Sequence, residues 1–140
     1  MAFDPSQLND VAEALISCGT DEARLRTAIG QLYYAAHLTG REKLRNRGWT
    51  PTGKGKDHGL VIKELAKRNL TFESGQLSSL KELREHADYH LEPTDSLLNQ
   101  NCKLCRSLRK VGPAGNLVVV KDWQEAIDIS RHLFPRLKKL

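Results

Sequence analysis

The segment from Leu80 to Leu91 concentrates the side chains of this sequence that are best suited to chemistry. It carries Arg84, His86, Asp88 and His90 within one short stretch. An imidazole titrates near neutral pH and can accept or release a proton. A guanidinium is permanently charged and binds phosphate or carboxylate oxygens through two parallel hydrogen bonds. These residue types therefore indicate proton transfer beside a bound anion.

The same spacing also fits simpler structures. Arg84 and Asp88 are four residues apart, as in an ordinary exposed ion pair on a helix. His90 also fits a solvated position in a last helical turn, where the helix dipole favours a charged imidazole. His86 and His90 share a helix face that would suit a metal ion, but no third ligand is obvious. We therefore predict neither a metal nor a cofactor.

The elements that position these residues are predicted to be helices. Apolar residues recur at helical spacing along most of the chain, without the sustained alternation that is typical of strands. We predict an all-α fold, an antiparallel up-and-down bundle of four to six helices in one domain, residues 1–140. Capping residues, Gly and Pro place the helices at about Asp4–Cys18, Thr20–Arg47, Asp57–Leu70, Ser74–Pro93 and Asp122–Leu140. The long second helix could kink near Gly40.

Composition and charge narrow the class of protein. Of the 140 residues, 39% are hydrophobic and 28% are charged, as in an ordinary globular domain. No apolar run approaches the ~20 residues of a membrane-spanning helix, and the first residues do not resemble a secretory signal. We therefore expect a cytoplasmic protein without membrane contact. The net charge of +5 favours a polyanionic partner. For contacts with nucleic-acid phosphates we select four basic residues, two of them in the glycine-containing loop Gly53–Lys56: Lys54, Lys56, His58 and Lys81.

The sequence contains three cysteines, Cys18, Cys102 and Cys105. A low and odd number of cysteines argues against a framework of disulfide bonds. Cys102 and Cys105 form a C-x-x-C pair, which is half of a zinc site. The commonest explanation of such a pair is two small residues on a helix, and the alternatives are structural zinc and a regulatory disulfide.

Two segments together resemble the HEPN family (higher eukaryotes and prokaryotes nucleotide-binding domain). Residues Leu25–His37 read R-x-A-x-x-x-x-Y-Y-A-A from Arg26 onward, and Leu80–Leu91 contains an arginine followed by A-D-Y. His58–Ile62 is similar to the third helix of that family, and Asp122–Leu140 is similar to its closing helix. Residues 96–120 look like an insertion, with a helix-like part and the β-branched run Leu117–Val120. We assign Tyr33 and Tyr34 to core or interface packing.

The resemblance implies a HEPN-like bundle that is commonly dimeric, and in many members a metal-independent ribonuclease. Those members carry an arginine, four to six further residues and then a histidine, and here five residues separate Arg84 from His90. Asp88, His86, Glu85 and Tyr89 would support or orient this pair. Glu85 departs from the pattern, because active members commonly have Asn, Asp or His at that position. This departure favours a non-catalytic member.

Ribonuclease chemistry of this kind uses the 2′-hydroxyl of the RNA as the nucleophile and leaves a 2′,3′-cyclic phosphate. Six residues along a helix turn by roughly 600°, which leaves the side chains of Arg84 and His90 about 120° apart. Both can therefore serve one site only if two copies of the helix meet around a two-fold axis. The sequence predicts a homodimer whose site draws on both subunits.

Three functional hypotheses follow. The first is a homodimeric HEPN endoribonuclease that acts on RNA, as the toxin of a toxin–antitoxin pair or as a defence effector. The second is a non-catalytic HEPN module that binds RNA, a nucleotide or a protein partner such as a nucleotidyltransferase. The third is an adaptor that docks through Ser96–Val120. Detection of cleavage products would support the first hypothesis, and binding of RNA or nucleotide without cleavage would support the second. Loss of association after deletion of Ser96–Val120 would support the third.

Overall fold

The structure is a computed structural model that describes residues 3–18, 22–89 and 121–140. These ranges fold into five helices and contain no strand, so the predicted all-α helical bundle is confirmed. None of the five combines the length and the hydrophobicity that a membrane-spanning segment needs. The helices are α1 (Ser6–Cys18), α2 (Glu22–Asn46), α3 (Asp57–Lys67), α4 (Thr71–Tyr89) and α5 (Lys121–Lys138).

Helix α2 is the centre of the bundle and contacts each of the other four helices. It is one continuous helix that includes Gly40. A Cβ at Gly40 would lie 3.5 Å from Val61 Cγ1 and 3.8 Å from Leu137 Cδ2, and the glycine therefore lets α3 and α5 approach the same turn of α2. Close approach on several sides explains why this helix carries so many small buried residues, among them Ala28, Ala35 and Ala36.

The core consists of two groups of buried side chains. The smaller group joins α1 to α2 and α5 through Ala12, Ala28, Leu32 and Ile127. The larger group joins helices α2 to α5. Because burial of apolar surface is the main favourable term in folding, this larger group fixes the mutual positions of α2, α3 and α4, which carry the candidate site. Its members are Leu25, Ile29, Tyr33, Ala36, Leu44, Val61, Leu65, Leu77, Leu80, Leu83, Ala87, Ala126, Ile129, Leu133 and Leu137.

The observed helix ends correct three of the predicted caps. Helix α4 begins at Thr71, and Ser74 lies inside it, where its hydroxyl donates to the carbonyl oxygen of Ile62 at 2.8 Å. Asp57 is the first residue of α3 and accepts hydrogen bonds from the preceding loop rather than from the helix. Helix α5 begins at Lys121, so Asp122 lies within its first turn. In contrast, Asp4 does accept the backbone N–H of Ser6 at 2.9 Å, as its predicted role at the start of α1 requires.

A buried arginine holds the end of α4. The Arg26 guanidinium, 8% exposed, donates to the carbonyl oxygens of Ala87 at 2.7 Å and His86 at 3.3 Å. A cation is favourable at a helix C-terminus, where carbonyl groups lack helical partners. The predictions for His90, for Cys102 and Cys105, and for the insertion at 96–120 fall on residues 90–120, which lie outside the described residues.

Candidate functional site

Aromatic side chains from α2 and α3 meet at the first turn of α3. The hydroxyl of Tyr33 lies 2.6 Å from Nδ1 of His58. The rings of His37 and His58 are stacked, with centroids 4.3 Å apart and planes 19° apart. Tyr33 and His37 lie one helical turn apart, so one face of α2 presents both rings to α3.

Arg84 approaches the same rings from α4. Its Cζ atom lies 5.0 Å from the centroid of the Tyr33 ring and 5.6 Å from that of Tyr34, within the range of cation–π interactions. The predicted ion pair with Asp88 is present at 3.4 Å, but the Arg84 side chain is only 7% exposed. Nε of Arg84 is buried and has no hydrogen-bond partner among the described residues. Arg84 and Asp88 therefore do not form the ordinary exposed ion pair that the sequence also allowed, because the charge of Arg84 is enclosed beside two tyrosines.

An open cavity of about 270 Å³ adjoins the stacked rings. We call it the basic cleft and define it by Tyr34, His37, Arg41, Lys54 and His58, which lie among its lining residues. Arg41 extends from α2, one turn after His37, and Lys54 belongs to the loop before α3. Nδ1 of His37 is buried and lacks a partner among the described residues. Such an atom in a native protein calls for water or a ligand as its partner.

The loop that carries Lys54 is held by Asp57, which is 2% exposed. The Asp57 carboxylate accepts the backbone N–H groups of Thr52 and Gly53, each at 2.9 Å, and the Thr52 hydroxyl. Gly53 has a φ of 74°, a conformation that glycine adopts without strain. The hydrogen bond from the Thr52 hydroxyl, followed by the two from the backbone, lowers the pKa of Asp57. The carboxylate stays charged, and its hydrogen bonds place Lys54 at the cleft.

Both imidazoles of the basic cleft are uncharged at neutral pH. Burial, followed by the influence of His58 and Arg41, lowers the pKa of His37 to about 3. Burial, followed by the charges of Arg84 and Lys81, also lowers the pKa of His58. The cavity is therefore lined by two cations, Arg41 and Lys54, and by the Asp57 carboxylate, while the enclosed Arg84 lies behind the tyrosines. Cations and neutral N–H groups together suit the oxygens of an anion.

The structure brings some predicted site residues together and places others apart. Lys54 and His58 line the basic cleft, whereas Lys56 is exposed and is not part of its lining. Lys81 forms an ion pair with Glu85 at 2.7 Å, which lowers the pKa of that carboxyl. His86 is half-buried on α4, and Tyr89 is the last residue of that helix. His90 lies outside the described residues.

Sequence reasoning missed the contribution of α2 to the site. His37 and Arg41 follow Tyr33 at intervals of four residues, a spacing that places three polar or aromatic side chains on one helix face. That regular spacing was the available signal. Tyr33 is fully buried, as its assignment to packing requires, and its hydroxyl also engages His58. Tyr34 lines the cleft as well.

Within the described residues no group of three or more His, Cys, Asp or Glu side chains is arranged to hold a metal ion. No family model, no curated protein and no solved structure matches this chain. The resemblance to the HEPN family therefore stays a prediction from the sequence.

Proposed function

We propose that this protein binds single-stranded RNA and that the basic cleft holds a phosphate of the bound strand. The single observation that carries this proposal is the convergence of Arg41, Lys54 and two stacked, uncharged imidazoles around one cavity. Arginine and lysine are the usual partners of phosphate oxygens. The cavity, at about 270 Å³, has room for one phosphate with its sugar. Aromatic side chains at its edge suit unpaired bases.

Metal-independent cleavage of the bound strand is the second candidate function. It is favoured by the position of Arg84, the arginine of the predicted Arg84–His90 pair, whose guanidinium lies behind the rings of Tyr33 and Tyr34. Tyr34 in turn lines the basic cleft. An arginine there can stabilise charge that develops on a phosphate as the 2′-hydroxyl attacks. This second candidate includes the homodimer, the His90 contribution and the toxin or defence setting with a cognate antitoxin, all of which rest on the sequence. A nucleotidyltransferase partner, also inferred from the sequence, belongs to binding without cleavage.

Removing both cations of the basic cleft should weaken RNA binding. The double variant Arg41→Ala/Lys54→Ala is expected to bind a fluorescein-labelled, unstructured RNA oligonucleotide about tenfold more weakly than the original protein. Because two phosphate contacts are lost, the slope of log affinity against log salt should become shallower by about 1.4. Fluorescence anisotropy at three salt concentrations measures both quantities.

The double variant Lys67→Ala/Lys139→Ala is the matched control, since it removes the same charge from exposed positions that do not line the cleft. This control should keep its affinity within about twofold and its salt slope unchanged. Equal losses of RNA affinity in the two double variants would mean that RNA binding depends on net charge alone. The basic cleft would then not be the binding site.

A further inference from the structure

The contact between Tyr33 and His58 determines which nitrogen of that imidazole carries a proton. Burial raises the pKa of the Tyr33 phenol, an effect that the charge of Arg84 offsets only in part. The phenol therefore keeps its proton and can donate it. Arg84 can only donate hydrogen bonds, so it cannot accept from Tyr33. Nδ1 of His58 lies 2.6 Å from the hydroxyl oxygen, and it accepts this O–H when the ring carries its proton on Nε2.

An Nδ1 atom that accepts a hydrogen bond has no proton of its own, so a neutral His58 must carry its proton on Nε2. The groups around this ring all favour the neutral form except Asp57, whose carboxylate is engaged by Thr52 and Gly53. Among the described residues none bonds to Nε2, and this atom is not buried. Because His58 lines the basic cleft and its Nδ1 faces Tyr33, Nε2 is the polar atom of this ring that remains for a ligand there.

We propose that Tyr33 is a positioning residue that holds His58 in the Nε2–H tautomer, so that His58 donates one hydrogen bond to an oxygen of the phosphate in the basic cleft. This inference rests on the proposed function, since it assigns a donor within the same site. It makes His58 a neutral phosphate donor at pH 7, distinct from the cations Arg41 and Lys54. It also gives the buried Tyr33 hydroxyl a role beyond packing.

Nitrogen NMR of the intact protein tests the tautomer without any RNA. In long-range proton–nitrogen spectra of ¹⁵N-labelled protein at pH 7, His58 should show an unprotonated Nδ1 and a protonated Nε2. The variant Tyr33→Phe keeps the ring and removes the hydroxyl, and its His58 signals should move toward a mixture of the two tautomers. A protonated Nδ1 in the original protein overturns the inference, whatever the RNA-binding result.

Binding by position-matched variants tests the donor. A glutamine side chain can place an N–H near the position of Nε2, whereas a leucine of similar size has no donor. His58→Leu is therefore expected to weaken binding of the labelled RNA about tenfold, and His58→Gln should stay within about threefold of the original protein. Equal affinities for His58→Leu and the original protein would overturn the inference, while the effect of Arg41→Ala/Lys54→Ala would still decide the proposed function separately.

Discussion

Replacing Arg84 by lysine is expected to lower RNA cleavage about 100-fold, because loss of one preorganised electrostatic group that stabilises a developing charge typically costs that much. Lysine keeps a positive charge near Tyr33 and Tyr34 but lacks the planar guanidinium that packs against their rings and fixes the position of that charge. The assay follows a labelled RNA in the presence of EDTA and analyses the products for 2′,3′-cyclic phosphate ends. Replacing His90 by alanine should independently cause a comparable loss.

Arg131→Lys is the matched control for this substitution. Arg131 lies on α5 and pairs with Glu13 at 2.9 Å, with a side chain that is 52% exposed. It is remote in sequence from the helices that form the basic cleft, and its replacement should leave cleavage unchanged. Circular dichroism and RNA affinity would show that Arg84→Lys remains folded and still binds. Undiminished cleavage by Arg84→Lys, or cleavage that disappears with EDTA, would rule out the metal-independent reaction at this arginine and leave RNA binding as the function to be tested.

The free energy of unfolding is expected to fall by about 2 kcal/mol between pH 7 and pH 5 through His37 alone, at about 1.4 kcal/mol per pH unit once the unfolded chain is protonated. Burial, with smaller contributions from His58 and Arg41, lowers the pKa of His37 in the folded protein to about 3. In the unfolded chain this histidine titrates near its ordinary value of 6.5. Below pH 6.5 the unfolded state therefore binds a proton that the folded state does not, and stability is lost until about pH 3. Urea unfolding at constant ionic strength measures the change.

His37→Gln removes the titrating group and should flatten this pH dependence by about the predicted amount, whatever its effect on stability at pH 7. The exposed His132 on α5 provides the comparison, and His132→Gln should keep the slope of the original protein. If His37→Gln and His132→Gln show the same slope as the original protein, then His37 is not held neutral by burial, and the electrostatic description of the basic cleft is wrong.

The helices of this protein follow from short-range information in the sequence. Apolar residues at helical spacing, the Asp4 cap and the loop of Gly, Pro and Lys before α3 act over a few positions, and the structure places helices where these signals predict them. Ser74 shows where such signals fail. It is a good capping residue by type, yet its hydroxyl bonds to Ile62 on α3, a partner that the sequence alone does not reveal.

The candidate site was predictable only in part, because contacts between different helices cannot be deduced from local sequence patterns. Charge and residue type identified Lys54, His58 and Arg84 from the sequence. His37 and Arg41 were missed because their roles depend on α3 packing against α2, which buries one imidazole and stacks it on another from a different helix. The sequence by itself determined the helices and the supply of basic and aromatic side chains. Tertiary packing decided which of these side chains share a cavity, because it sets the distances between helices. It also decided which of them remain charged, because it sets how deeply each one is buried.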